Sequence, residues 1–145
     1  MPAIARSMTY DIPCRLSAIE AMAAEVDRFV MPLGLPQPTI FAIQLCLEEA
    51  VSNVIRHGGL AESESVELSL THAADGAVTI ELCDTGRAFD PVSAPLPAPY
   101  ARLETAVIGG RGLTLMRRFC PEMQYLRAAG TNCLRLRFPP VGPPA

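Results

Sequence analysis

The sequence predicts an α+β fold: a two-layer sandwich in which a mixed, mostly antiparallel sheet carries helices on one face. Three observations predict it. Some stretches repeat apolar residues at helical spacing, others alternate apolar and polar residues, and most of the alternating stretches come in consecutive pairs joined by short polar turns. Consecutive hairpins pair antiparallel, and a sheet with one apolar face needs a layer of helices to cover it.

The first element is a short alternating strand, Met8 to Pro13. Ser17-Ala18-Ile19-Glu20 has the form of a capping box, and Ile19, Met22, Ala23, Val26 and Val30 then follow at helical spacing. Three prolines and Gly34 between Met31 and Pro38 mark a connection. A second helix is expected from Thr39 to Arg56 or His57, with Ile40, Ile43, Leu47, Ala50 and Val54 as its apolar stripe and Gly58-Gly59 as its stop. Val66/Leu68/Leu70 and Val78/Ile80/Leu82 alternate on either side of Ala74-Asp75-Gly76, which predicts a hairpin with one buried face.

From Arg87 to Gly110 the periodicity is lost and prolines gather, a stretch too long for a simple connector, so a mobile lid or disordered loop is expected. A short helix with Leu113, Met116 and Phe119 on one side follows the glycines at 109, 110 and 112. A last hairpin pairs Met123–Ala128 with Cys133–Phe138 through Gly130-Thr131-Asn132. The expected organisation is a single domain over residues 1–138 and a Pro-rich tail at 139–145.

Composition narrows the chemistry. All 12 basic residues are Arg, so a P-loop lysine, a Schiff-base amine and the strand lysine of protein kinases are all excluded. A net charge of -3 without a basic run disfavours nucleic acid as a partner. Five scattered cysteines without a C-x-x-C suit a reducing compartment better than a disulfide framework, and two histidines make a zinc site a poor fit. No apolar run approaches the ~18 residues of a membrane span and no signal peptide is evident, which makes the cytoplasm the expected location.

Three local patterns carry chemistry. Glu49 and Asn53 lie one helical turn apart, so a carboxylate and a carboxamide share a face, suited to a general base and an oxygen ligand for a hard cation. Glu48 is turned about 100° off that face. Asp84-Thr85-Gly86 leaves a buried strand, where an acid can accept from an exocyclic amine and a glycine permits close approach. Gly110-Arg111-Gly112 opens a helix, where free N–H groups and Arg111 suit an anion. Each has an ordinary alternative: a solvated helix face, an Asx turn, a helix start.

Together and in this order, the three closely resemble the GHKL ATPase superfamily of gyrase, chaperone and histidine-kinase ATP-binding domains. Glu49-Ala50-Val51-Ser52-Asn53 is similar to its N box, Asp84-Thr85-Gly86 to its first glycine box, Gly110-Arg111-Gly112-Leu113 to its second, and Gly130-Thr131 to the small third box. His57 four residues past Asn53, the string Asp84 to Pro91, and Tyr125 after the third helix resemble one branch, the anti-sigma serine kinases of bacterial partner switching. Ala88 stands where gyrases carry a second glycine, and Pro121 where the branch often carries an acid.

The resemblance implies the Bergerat ATP-binding fold and a role for each residue. Glu49 is implied as the base that deprotonates a substrate serine, and Asn53 as the ligand of Mg²⁺ bridging the ATP phosphates. Asp84 and Gly86 would hold adenine, Gly110, Arg111 and Gly112 the phosphates, and Thr131 the edge of the nucleotide site. The implied function is an ATP-dependent serine/threonine-protein kinase acting as an anti-sigma factor. It would phosphorylate a serine of a STAS-type antagonist protein and sequester an RNA polymerase sigma factor, as a homodimer, without nucleic acid or membrane. The alternative is a non-catalytic ATP-binding module that grips a sigma factor or another signalling protein.

Overall fold

A computed structural model describes residues 3–95 and 110–141. Its elements run β1 (Ile4–Pro13), α1 (Ala18–Val30), α2 (Gln37–His57), β2 (Ser65–Ala73), β3 (Val78–Asp84), α3 (Gly110–Phe119), β4 (Glu122–Ala128) and β5 (Thr131–Phe138). The strands form one sheet in the order β1-β2-β3-β5-β4. Every neighbouring pair is antiparallel, so the expected admixture of parallel pairing is absent among the described residues.

The alternating residues decide which side is covered. Val66, Leu68 and Leu70 of β2, Val78, Ile80 and Leu82 of β3, and Leu134, Leu136 and Phe138 of β5 are buried in one core. Met22, Val26 and Val30 of α1, Ile43, Leu47 and Val51 of α2, and Leu113 and Met116 of α3 join the same core. The helices thus cover one face, and the intervening strand residues form the other.

Local chemistry shifts several boundaries. Ser17 has helical dihedrals and makes no side-chain cap, because a backbone turn already uses the amides of Ala18 and Ile19 on the carbonyls of Arg15 and Leu16. Residues Met31–Leu33 form a 3₁₀ turn that ends on Gly34 at φ 71°, where only glycine is unstrained. α2 begins at Gln37, before the expected Thr39, since Pro38 in its first turn needs no N–H partner. It ends at His57, with Gly59 at φ 71°. The β4–β5 turn is Ala129-Gly130, both at positive φ, as the right-handed twist of a two-residue hairpin demands. It was expected at Gly130-Thr131-Asn132; those last two residues are already in β5.

The cysteines also depart from expectation. Cys83 of β3 and Cys133 of β5 are joined by a disulfide, 50 residues apart in the chain but directly opposite in the ladder, with Cα atoms 4.3 Å apart. Chain spacing conceals a pair that antiparallel register creates. Cys14, Cys46 and Cys120 are free and buried. Hydrogen bonding with Cys120 and burial push the Cys46 thiol far up, which makes it an inert core group.

Candidate nucleotide site

The strand parity that builds the core also aims two polar groups inward. Asp84 continues the buried series Val78, Ile80, Leu82, and Asn132 begins the series that continues as Leu134, Leu136, Phe138. The two residues are opposite each other on the last shared rungs of β3 and β5, and they are 8% and 6% exposed. Asn132 Nδ2 donates to Asp84 Oδ1 at 3.1 Å, to the Gly86 carbonyl at 3.2 Å and to the Arg87 carbonyl at 2.9 Å. Its Oδ1 accepts from the Tyr125 hydroxyl and from Arg127 Nη1, and Arg127 Nη1 also donates to the Gly86 carbonyl at 3.0 Å.

Asp84 Oδ1 accepts a second bond, from the Gly86 amide at 2.8 Å. Oδ2 has no hydrogen-bond partner among the described residues. Asp84 lines a cavity, partly open to solvent, walled by Ala50, Val54, Leu82, Met116 and Leu134 and edged by Asn53, His57, Arg87 and Phe89. A carboxylate oxygen in apolar surroundings needs a donor, and a planar ligand carrying an amine supplies one while the walls take its faces.

Gly86 is required by packing against protein rather than by a ligand. A Cβ there would stand 2.8 Å from the Gly58 carbonyl and 3.1 Å from the Gly58 Cα, both backbone atoms that cannot turn aside. The Arg87 amide bonds that carbonyl at 2.9 Å, so the exit of β3 is fastened to the end of α2.

α2 supplies the other polar groups. Glu48 is exposed and Glu49 half-buried, as the helical rotation predicts. Asn53 is 7% exposed, and its Nδ2 is buried without a partner among the described residues. The Glu49 carboxylate rests against Gly112 in the first turn of α3, where any Cβ would collide with it. Gly110 is the first residue of α3. The side chain of Arg111 and most of the expected lid, residues 96–109, lie outside the described residues.

The described beginning of the lid is tied down. Asp90 Oδ1 accepts from the amides of Val92 and Ser93 at 2.8 and 3.3 Å, and Oδ2 from the Ser93 hydroxyl at 2.7 Å. Burial pushes the Asp90 carboxyl up, but the Ser93 hydroxyl, these amides and Arg117 outweigh it and hold it below the usual value. Arg117 of α3 donates to the Pro91 carbonyl from Nε at 3.0 Å and Nη2 at 2.8 Å, and to the Ala94 carbonyl.

Asp84 and Asn53 therefore meet in one cavity, with Glu49 a turn away beside Gly112. Thr131 does not line the cavity; its neighbour Asn132 does. Sequence reasoning missed Asn132, although its parity with Leu134 and Leu136 is a readable signal. Arg87 and Arg127 have no such signal, whereas Tyr125, singled out by the resemblance, bonds Asn132.

The model of the histidine kinase-like ATPase domain matches residues 12–138. The chain is 34% identical over 97 residues to the serine/threonine-protein kinase BtrW of Bordetella bronchiseptica, covering 66% of this chain and 68% of that one. It is 30% identical over 111 residues to the anti-sigma F factor of Priestia megaterium, covering 75% and 76%. Its fold is similar to SiaB–SiaC from Pseudomonas aeruginosa, with a TM-score of 0.67 at 13% identity over 94% of this chain and 90% of that one. It is also similar to the RsbU and RsbW domains of Rv1364c from Mycobacterium tuberculosis, with a TM-score of 0.66 at 16% identity over 93% of this chain and 34% of that one. Among the described residues no helix is long and apolar enough to cross a membrane. A match over residues 12–138, the span that holds the cavity, leads to one conclusion: the chain belongs to the histidine kinase-like ATPase domain family, in the branch of serine/threonine-protein kinases and anti-sigma factors.

Proposed function

We propose that the chain is an ATP-dependent protein-serine kinase that acts as an anti-sigma factor. The observation that carries this reading is the pairing, in one cavity, of a buried Asp84 carboxylate with a free oxygen and a buried Asn53 amide with a free valence. Asp84 Oδ2 accepts from the adenine amine, and Asn132 keeps the carboxylate aimed by occupying Oδ1. The apolar walls exclude water from the base.

The unpartnered Nδ2 of Asn53 is a donor and suits a phosphate oxygen, while Oδ1 of the same carboxamide would be the ligand for Mg²⁺, which takes few protein ligands and most of its coordination from phosphates and water. When bound, the ion neutralises charge on the phosphates. The Glu49 carboxylate lies at Gly112 in the first turn of α3, so phosphate oxygens that take this helix end share it with, or displace, that carboxylate. Glu49 takes the proton of the substrate serine hydroxyl, and the serine oxygen then attacks the γ-phosphorus as the bond to ADP breaks. The phosphorylated partner is a STAS-type antagonist protein, and the second partner is a sigma factor. A homodimer in the cytoplasm is the working form.

Glu49→Ala should lower transfer of labelled phosphate to the antagonist by roughly 10²- to 10⁴-fold, with ATP affinity nearly unchanged. Undiminished transfer removes Glu49 from the base role. Nucleotide binding by the wild type without any transfer favours the non-catalytic module instead.

A further inference from the structure

The disulfide stands beside the rung that carries the polar pair of the nucleotide pocket. Cys83 and Cys133 occupy the rung beside Asp84 and Asn132, with which the β3–β5 ladder ends. Past it β3 and β5 no longer pair, so the Cys83–Cys133 bridge is the nearest covalent tie across the two strands. Parity places the two sulfurs on the sheet face away from the helices and sends the carboxylate and carboxamide of the next rung into the cavity.

The surroundings suit a site that opens and closes. The Cα separation of 4.3 Å is that of opposed residues in an ordinary antiparallel ladder, so two thiols fit the same backbone as the bridge. Both residues are half-buried, whereas Cys14, Cys46 and Cys120 are buried. Their neighbours on the same sheet face are exposed or partly exposed: Glu67 opposite Cys83 on β2, Leu126 opposite Cys133 on β4, and the Glu81–Arg135 ion pair at 3.5 Å on the adjoining rung. Among the described residues no helix covers them, which leaves their sheet face open to a small reagent.

We propose that Cys83 and Cys133 are a reversible dithiol–disulfide site whose state sets how firmly the Asp84–Asn132 rung is held. The co-reactant is a low-molecular-weight disulfide of the glutathione class. One cysteine thiolate attacks a sulfur of that disulfide, forming a mixed disulfide and releasing one small thiol. The second cysteine attacks the protein sulfur of the mixed disulfide, closing the Cys83–Cys133 bond and releasing the second small thiol. The two protons lost by the cysteines end on the two released thiols, and two electrons pass from the protein to the small disulfide. The reverse sequence reopens the pair.

The test equilibrates the full chain in mixtures of reduced and oxidised glutathione, traps free thiols by alkylation and counts them by mass spectrometry. Amide hydrogen exchange is then read in peptides covering 84–91 and 130–134. A disulfide population that changes across the mixtures, with exchange about threefold or more slower when oxidised, is expected. Cys83→Ser and Cys133→Ser should exchange at the reduced rate in every mixture. A pair that stays closed or stays open throughout, or exchange that ignores its state, overturns the proposal. The further consequence, tighter ATP binding by the oxidised chain, rests on the function proposed above. Absence of ATP binding in both states would count against that function, while the exchange rates still decide the redox site.

Discussion

Asp84 shows how one side chain is given a task by its neighbours. Its Oδ1 is saturated by the Gly86 amide and Asn132 Nδ2, so only Oδ2 is left for a ligand. Asp84→Asn replaces that acceptor carboxylate with a neutral amide and also sets an NH₂ against existing donors. A hydrogen bond to a charged group contributes about 1.5–3 kcal/mol, so ATP affinity should fall by roughly 10- to 150-fold in a calorimetric titration. An affinity within a factor of two of wild type would move the adenine elsewhere. The residue missed beside it, Asn132, was assigned to the turn: the turn is Ala129-Gly130, so β5 starts at Thr131, two residues before the expected Cys133, and Asn132 joins the inward series of Leu134 and Leu136.

At the scale of elements, the segment following β3 is fastened at both ends. Arg87 bonds the end of α2, and Arg117 of α3 holds the carbonyls of Pro91 and Ala94. Asp90 organises the turn between them, and its lowered carboxyl gives a pH signature. The folded value lies below the ordinary 3.8, so the contribution is present above that value and is lost as pH falls through the folded one. Thermal unfolding of wild type and Asp90→Ala should therefore differ at pH 7 and converge toward pH 3. A gap that persists unchanged in acid would mean that the carboxylate charge is irrelevant to the turn. The body and end of helix α2 were legible because its stripe, Ile40 to Val54, repeats for about four turns. Its start was not, since Pro38 reads equally as a loop residue or as the first turn of a helix.

For the whole molecule, stability resides in the layer between sheet and helices. Leu68 is fully buried in that core on β2, opposite Leu82, and does not itself line the cavity. Leu68→Ala should destabilise the fold by about 2–5 kcal/mol in urea unfolding, through lost burial and the void left behind. Under native conditions its ATP affinity should stay near wild type, which separates the core that carries the site from the site itself. A loss under about 1 kcal/mol would mean that the core collapses around the truncation.

By itself the sequence determined the periodicities, and with them the α+β class, the element order and the covered face of each strand. It also determined the residue types of the site, because a carboxylate and a carboxamide one helical turn apart share a face in any helix, wherever that helix packs. Only the tertiary structure decided which residues meet. Register brought Cys83 to Cys133 and Asp84 to Asn132 across about fifty residues of chain, and packing set Gly86 against Gly58 and Glu49 against Gly112. The physical reason is that periodicity is a local property of the chain. Pairing depends instead on where turns place strand ends and on how closely two backbones can approach, and neither is written in any short window of residues.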